Sequence, residues 1–155
     1  MVESIPEQLK DAALRLSEDC NRRISRILKH KSVAHVTNPL DYAWEYHEQF
    51  IDKWSDFGAT TLLLGMNPGP YGMAQTGVPF GATAMARDIL KIEERDVITP
   101  PGAHPKRPIE GLSMERQEVS GTRFWSMLFD HYGSTEAIFS NIFVVNHCPL
   151  LILGE

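Results

Sequence analysis

The sequence predicts an α/β domain, and two kinds of observation lead to that prediction. Two short apolar runs, at residues 60–64 and 142–145, have the length and composition of buried strands. The segments before and between these runs show helical apolar spacing, which gives the order helix, helix, strand, helix, helix, strand. This order is typical of parallel strands joined by right-handed helical crossovers. A chain of 155 residues falls in the range of a single domain.

The first predicted helix lies in an N-terminal helical segment, residues 1–37. Ser4 and Glu7 have the spacing of a capping box, in which each side chain bonds to the other residue's backbone N–H. Apolar residues then recur at helical spacing at Leu9, Ala13, Leu16, Cys20, Ile24 and Ile27. A second helix is predicted over residues 41–54. The residues expected to face inward from it are Ala43, Tyr46 or His47, Phe50 and Trp54.

The elements from residue 60 onward are predicted from short apolar runs and from glycine and proline content. The run at 60–64 is expected to be a strand buried on both faces of a parallel sheet. Residues 97–121 hold four prolines and three glycines, which indicates a long structured loop. The predicted elements are, in order, the strand at 60–64, a glycine-rich loop at 65–81, a short helix at 83–91, the structured loop at 97–121, a helix at 122–132, and a strand at 142–145 that a loop follows.

Composition and charge describe a globular protein from a reducing compartment. Hydrophobic residues make up 43% of the chain and charged residues 23%, and no apolar run approaches the length of a membrane span. Cys20 and Cys148 cannot supply a disulfide framework or the four thiolates of an iron–sulfur cluster. The formal net charge of -5 argues weakly against nucleic acid, yet residues 57–90 hold just one acid and one base. DNA therefore stays open as a partner.

The glycine-rich stretch "GMNPGPYGMAQTGVPFG", residues 65–81, is the most distinctive segment of the chain. Its five glycines and three prolines indicate a loop, but its spacing matches no nucleotide-binding glycine pattern, and it contains no lysine. One interpretation is a rigid turn at the end of the first strand. The other is a pocket wall, because ligands of open α/β sheets bind outside the carboxyl ends of the strands. Such a wall would present Asn67, Tyr71, Gln75 and Phe80.

A second asparagine follows the second strand. Asn146 comes directly after the run "FVV", as Asn67 nearly follows "LLLG", and a proline comes shortly after each. A side-chain amide offers one acceptor and two donors in a plane, which suits the edge of a nucleobase or the orientation of a water molecule. The alternative is that Asn146 only caps a turn.

Four motifs together resemble one family. The strings "LGMNPGPYGMAQTGVPFG", "HPKRP", "EVSGTRFW" and "NHCPLL" closely resemble the single-strand-selective monofunctional uracil-DNA glycosylases, which belong to the uracil-DNA glycosylase superfamily. The similarity begins near Asn38 and continues to about Leu153, while the first thirty residues are only loosely similar. The resemblance implies a three-layer fold with a central parallel sheet, of which this chain would be the N-terminal part.

The resemblance also implies a reaction and a partner. The reaction would be hydrolysis of the bond between deoxyribose and uracil, or a 5-substituted uracil such as 5-hydroxymethyluracil, in single- and double-stranded DNA. This step starts base excision repair. The partner would be DNA with the target base flipped out of the helix. The resemblance implies no metal, no cofactor, no membrane, a monomer, and a nuclear location in a eukaryote or a cytoplasmic one in a bacterium.

Site residues carry over from the resemblance by motif position. Asn67 would orient the attacking water, and the backbone amide of Met66 would face the uracil O2. Phe80 would stack on the flipped base, and Asn146 would recognise its O4 and N3–H edge. Gly69 would leave room near C5 for a substituent or an ordered water.

Two basic residues of the "HPKRP" motif are further candidates. Lys106 and Arg107 would contact DNA phosphate, and the equally weighted alternative is an ordinary solvated pair on a loop.

One motif of the family does not occur in this sequence. It is a downstream His-Pro-Ser segment whose histidine supports the leaving uracil at O2, and none of the six histidines here has that context. The sequence also closes on an apolar segment, residues 150–153, with nothing after it to cover it. We therefore interpret residues 1–155 as a single incomplete domain. It would be either an incomplete record of an active glycosylase or a catalytically incomplete fragment or isoform with at most weak DNA or uracil binding.

Overall fold

The computed structural model describes residues 3–155 and confirms the mixed α/β class. The helices and strands, in chain order, are α1 (Ile5–Ile27), β1 (His35–Thr37), α2 (Pro39–Tyr42), α3 (Trp44–Trp54), β2 (Thr61–Gly65), α4 (Met73–Thr76), α5 (Thr83–Asp88), α6 (Val119–Tyr132), α7 (Thr135–Phe139), β3 (Ile142–Asn146) and β4 (Leu151–Leu153). A 3-10 turn at Gly111–Ser113 lies inside the predicted structured loop. No helix within residues 3–155 is both long and apolar enough to cross a membrane.

The two predicted strands pair with each other. β2 and β3 run parallel, with a register that places Thr61 opposite Ile142 and Gly65 opposite Asn146. The pairing continues past the strands, because the N–H of His147 donates to the Gly65 carbonyl at 2.8 Å. The carboxyl ends of both strands therefore meet at one edge, which is where the sequence predicts a ligand site.

The expectation that the first strand is buried on both faces is wrong. Leu62 and Leu64 point to the same side of β2, and they are 62% and 61% exposed. Leu63, on the opposite side, packs against the main core. One face of the strand is therefore buried and the other faces solvent.

The apolar residues near the end of the chain are partly covered, since Leu150 and Leu151 are buried whereas Ile152 is 41% exposed. Leu151–Leu153 forms β4, which pairs antiparallel with β1, so that Leu151 lies opposite Thr37 and Leu153 opposite His35. The predicted N-terminal helical segment accordingly ends in a strand, and its residues 1 and 2 lie outside the described part. Strands of three residues carry too little pattern to be predicted.

The N-terminal helices follow the predicted pattern with one break. The capping box of α1 is present, since the Glu7 carboxylate accepts the Ser4 N–H at 2.9 Å and the Ser4 hydroxyl accepts the Glu7 N–H at 3.4 Å. The second predicted helix is divided into α2 and α3 at Ala43, whose φ of -111° and ψ of 27° are not helical. The residues predicted to face inward are all buried, namely Ala43, Tyr46, His47, Phe50 and Trp54.

The glycine-rich loop contains a short helix that its composition does not suggest. α4 occupies Met73–Thr76, four residues without glycine or proline between Gly72 and Gly77. Gly77 ends the helix in the left-handed conformation at φ 64°, which glycine adopts without strain. The short helix α7, Thr135–Phe139, was also not predicted.

The core lies between the β2–β3 pair and helices α3, α5, α6 and α7. Aromatic rings dominate it, with Phe50 stacked on Phe143 at a centroid distance of 5.2 Å and Trp54 stacked on Phe139 at 5.1 Å. Trp125 is fully buried and donates its indole N–H to the Pro79 carbonyl at 3.2 Å. This bond ties helix α6 to the glycine-rich loop.

Candidate functional site

Gly65 is the point at which two predicted site residues meet. A Cβ atom placed on Gly65 would lie 2.2 Å from the Oδ1 atom of Asn146 and 3.0 Å from the Cε2 atom of Phe80. No side chain fits there without displacing one of them. Gly65 was not predicted as a site residue, and its only signal in the sequence is its position directly after the apolar run. Its missing side chain allows Asn146 and Phe80 to approach each other.

The amide of Asn146 has a defined orientation. Its Nδ2 atom lies 3.0 Å from the Sδ atom of Met73. Because a thioether can only accept a hydrogen bond, the NH2 group faces Met73 and the carbonyl oxygen faces Gly65. Sulfur is a weak acceptor, so a ligand oxygen can replace it at little cost. The amide thus holds a donor and an acceptor ready for a planar ligand edge.

Phe80 is held in an unusual backbone conformation. Its φ is 54°, in the left-handed region that bulky residues rarely adopt. Helix α6 packs against it at Gly121, where a Cβ would lie 2.3 Å from the Phe80 carbonyl oxygen. The Phe80 ring stacks on Phe124 at a centroid distance of 4.2 Å and an interplanar angle of 18°. Backbone strain that the surrounding packing maintains is typical of functional positions.

Asn67 and Met66 lie at the surface of the same edge. The Nδ2 atom of Asn67 donates to the Pro68 carbonyl at 3.1 Å, so its amide is used within the loop, and the residue is exposed. Met66 is 79% exposed, and its carbonyl accepts the Cys148 N–H at 3.0 Å. The structure brings Asn146 and Phe80 together, whereas it turns the Asn67 side chain toward Pro68.

A cavity of about 190 Å³ borders Asn146 on the side of helix α1. Its walls are mainly apolar and include Leu9 and Leu16 together with Met73 and Phe143. Neither Asn67 nor Phe80 lines it. An apolar cavity offers few hydrogen-bond partners for a polar ligand, so the candidate ligand site is the space over Gly65 that Asn146 and Phe80 border.

Gly69 faces a carboxylate that the sequence did not single out. Glu118, at the start of α6, places its carboxylate against two glycines of the loop. A Cβ on Gly69 would lie 1.8 Å from Glu118 Oε1, and one on Gly72 would lie 1.7 Å from Oε2. Burial raises the pKa of this carboxyl above its ordinary value, and a hydrogen bond with Ser120 partly opposes the rise. The room that Gly69 leaves is therefore taken by Glu118 in this structure.

Glu118→Gln is expected to stabilise the protein at neutral pH. Because the folded-state pKa of Glu118 lies above the ordinary value of 4.5, the folded state holds a proton that the unfolded state releases as pH rises. The wild-type protein therefore loses stability as pH rises through that window, and the variant avoids this loss. Urea denaturation at pH 4 and pH 7 measures the free energy of unfolding of the wild-type protein and of the variant. Glu115→Gln, at an exposed neighbouring position, is the control. A variant no more stable than wild type at pH 7 would contradict the expectation.

The sequence predicts Gln75 on a pocket wall, but the residue is buried and joins the glycine-rich loop to residues 108–110. Its side chain is fully buried, and its Nε2 atom donates to the carbonyls of Pro70 and Pro108, each at 2.8 Å. Its Oε1 atom accepts the Glu110 N–H at 2.8 Å. One amide thus fixes the glycine-rich loop to the segment that follows Arg107.

His47 anchors the other end of the glycine-rich loop. Its Nδ1 atom lies 2.7 Å from the Gly77 carbonyl, which can only accept, so Nδ1 carries the proton. Burial lowers the pKa of His47 from 6.5 to about 4, against the opposing effect of this hydrogen bond. His47 is therefore neutral at physiological pH and acts as a structural donor.

The two predicted DNA-binding residues lie on the surface next to the loop. Lys106 and Arg107 are exposed, and the Arg107 guanidinium carbon lies 5.9 Å from the centroid of the Tyr71 ring. Arg116, which was not predicted, lies closer to the same ring at 4.1 Å. Residues 3–155 contain no group of three or more histidine, cysteine or acidic residues that could hold a metal ion.

These features define the class of protein. It is an α/β protein with an uncharged amide and an aromatic ring at the carboxyl ends of two parallel strands, the usual place for a ligand site in such sheets.

Comparison with known proteins gives the relationship more closely. The chain is 43% identical over 151 residues to the single-strand selective monofunctional uracil DNA glycosylase of Mus musculus, and equally to the Rattus norvegicus protein. It is 43% identical over 149 residues to the protein of the same name from Bos taurus. These alignments cover 96–97% of this chain and 52–54% of each relative. No family model matches. The resemblance that the motifs predicted is confirmed, and the chain spans about half the length of the curated relatives it matches.

Proposed function

We propose that this chain carries the uracil-recognition part of a DNA repair glycosylase with the three-layer fold of the uracil-DNA glycosylases. The observation that supports it most is the position of Asn146 Oδ1 and Phe80 Cε2, which lie 2.2 Å and 3.0 Å from the point that a Cβ of Gly65 would occupy. An amide edge beside an aromatic ring is what an extruded pyrimidine needs. The relationship to glycosylases of known name supports the choice of uracil.

The amide of Asn146 distinguishes uracil from cytosine by hydrogen bonding. Uracil presents N3–H as a donor and O4 as an acceptor, and cytosine presents the reverse at both positions. The Asn146 carbonyl would accept N3–H, and its NH2 group would leave Met73 to donate to O4. Each mismatched contact costs about 1–3 kcal/mol, so two of them give discrimination on the order of a hundredfold or more.

Phe80 would offset part of the cost of base extrusion. Unstacking and unpairing a base costs a few kcal/mol, and least where the base is mispaired or single-stranded. Stacking on an aromatic ring returns about 1–3 kcal/mol. Phe124 covers one face of the ring and fixes its plane, so the ring loses little freedom when a base binds.

The chemistry requires water positioning more than a strong base. The bond between N1 of uracil and C1′ of deoxyribose breaks, a water oxygen adds to C1′, and the released uracil takes up the proton. Asn67 has no ionisable group, so its role would be to orient that water, and the Met66 backbone N–H would stabilise charge at O2. The Asn67 amide would leave its hydrogen bond with the Pro68 carbonyl, which is a local rotation.

Excision of uracil from a single-stranded oligonucleotide tests this proposal. The expected result is strand cleavage after alkali treatment, which reveals the abasic site, and a loss of about 10²-fold in Asn67→Ala, the size typical for a positioned catalytic group. An oligonucleotide with 5-hydroxymethyluracil tests the wider substrate range that we propose, which requires the Glu118 carboxylate to leave the space beside Gly69. Ser25→Ala, on the exposed surface of α1, is the control. Full activity in Asn67→Ala would remove the role of Asn67.

A second candidate function is weak DNA or uracil binding without excision. It is favoured by the Asn67 side chain, whose Nδ2 atom donates to the Pro68 carbonyl at 3.1 Å within the loop. The same oligonucleotides separate the two: binding with a preference for uracil but no alkali-sensitive product indicates the second function.

A further inference from the structure

Tyr71 carries two guanidinium groups at its ring. The Arg116 guanidinium carbon lies 4.1 Å from the ring centroid, and that of Arg107 lies 5.9 Å from it. The Nη1 atom of Arg116 also donates to the Tyr71 hydroxyl at 3.1 Å. Cation–π contacts and this hydrogen bond fix the guanidinium but use only one of its five donors. Both arginines are exposed, so the remaining donors are accessible to a ligand.

Neither arginine forms an ion pair within residues 3–155, although the Glu118 carboxylate lies against Gly69 and Gly72 near Tyr71. The seven ion pairs found within residues 3–155 involve basic residues at position 95 or earlier. Arg107 and Arg116 thus have no carboxylate within 4.0 Å in the described part of the chain, although Glu110 and Glu115 are close in sequence. Arginines held in place but without an anion are suited to bind one.

The two arginines are tied to the loop that forms the base site. Tyr71 lies between Pro70 and Gly72 in that loop, and Gln75 bonds both to Pro70 and to Pro108, next to Arg107. Both bonds are 2.8 Å long, and the Gln75 side chain is fully buried. The backbone next to Arg107 is therefore fixed to the loop before any ligand binds. Preorganisation of this kind lowers the cost of binding.

We infer that Arg107 and Arg116, held at the Tyr71 ring, bind a backbone phosphate of the DNA strand that carries the target base. The choice of DNA as the anion rests on the proposed function. A guanidinium fork matches phosphate oxygens with two parallel hydrogen bonds, and phosphate contacts fix the register of a protein on DNA. Because the arginines and the base site share one loop, a phosphate bound here would place the strand relative to Asn146 and Phe80.

The salt dependence of DNA binding tests this inference. Fluorescence anisotropy of a single-stranded oligonucleotide without uracil gives the affinity at several salt concentrations. Each phosphate contact adds about 0.7 to the slope of log K against log salt for single strands. We expect Arg116→Gln to weaken binding several-fold and to reduce the slope by about this amount. Arg107→Gln should act in the same direction.

Controls separate the site from a general charge effect. Arg23→Gln removes the same charge from the exposed surface of α1 and should leave the slope nearly unchanged. Like the two arginines at Tyr71, Arg23 has no carboxylate within 4.0 Å among residues 3–155. Tyr71→Ala should reduce the slope as Arg116→Gln does. Tyr71→Phe keeps the ring and should keep most of the wild-type slope. Thermal melts check that each variant is folded.

The outcomes are distinct from those of the proposed function. Equal slopes for Arg116→Gln and Arg23→Gln, or no salt-dependent binding by the wild-type protein, would overturn the phosphate site. If Arg116→Gln reduces the slope as expected but the wild-type protein shows no preference for uracil, the phosphate site is supported and the proposed function is contradicted.

Discussion

Gly65→Ala is expected to abolish the preference of the protein for uracil over cytosine. The added Cβ would lie 2.2 Å from Asn146 Oδ1, so the amide must rotate away from the position in which it accepts N3–H. The same Cβ would lie 3.0 Å from the Phe80 ring and tilt the stacking surface. Losing the two Asn146 hydrogen bonds, to N3–H and to O4, lowers the preference on the order of a hundredfold. The ratio of dissociation constants for single strands with uracil and with cytosine measures it.

A double-mutant cycle shows whether the effect acts through Asn146. In an Asn146→Ala background, the added methyl group has no amide to displace, so Gly65→Ala should cost little further preference. Gly154→Ala is the matched control, since a Cβ there meets only the Ser32 carbonyl at an ordinary 3.4 Å. A Gly65→Ala protein that keeps its preference for uracil would refute the arrangement of the site.

Acid is expected to destabilise the protein through His47. The folded-state pKa of His47 is lowered from 6.5 to about 4, so at intermediate pH the unfolded state binds a proton that the folded state excludes. The contribution of neutral His47 to the free energy of unfolding is fully present above pH 6.5 and is lost as pH falls toward 4. A pKa difference of this size corresponds to about 3 kcal/mol. Urea denaturation between pH 7 and pH 4.5 should detect most of it.

His47→Gln removes this pH dependence while keeping a donor for the Gly77 carbonyl. Between pH 7 and pH 4.5, the free energy of unfolding of the variant is expected to fall by about 2 kcal/mol less than that of the wild-type protein. His131→Gln, at an exposed position on α6, is the control and should behave as wild type. If the two variants show the same pH dependence, the neutral buried state of His47 is excluded. Because His47 holds Gly77, uracil binding should weaken over the same pH range.

Local patterns predicted the elements that have strong local signals. The capping box and the apolar spacing located α1, and two apolar runs located β2 and β3, because hydrophobic period and capping are properties of neighbouring residues. The strands β1 and β4 have three residues each, too few for a period to appear. The exposure of Leu62 and Leu64 also was not predictable, because an apolar run does not reveal what covers each face.

The candidate site was predicted in part for a similar reason. Asn146 and Phe80 stand in recognisable motifs, and the parallel register that joins Gly65 to Asn146 follows from two adjacent strands. Gly65, Glu118 and the Gln75 link depend on contacts between segments far apart in sequence. Nothing local distinguishes a glycine required by close approach from one required by a turn.

The central claim is that Asn146 and Phe80 enclose an extruded uracil above Gly65. A crystal structure of the protein with a single-stranded oligonucleotide carrying a 2′-fluoro deoxyuridine, whose glycosidic bond resists hydrolysis, tests it most directly. We predict a uracil stacked on the Phe80 ring, with N3 and O4 within hydrogen-bond distance of the Asn146 amide and Met73 displaced from it. A uracil bound elsewhere on the protein, with Asn146 still bonded to Met73, would contradict the claim.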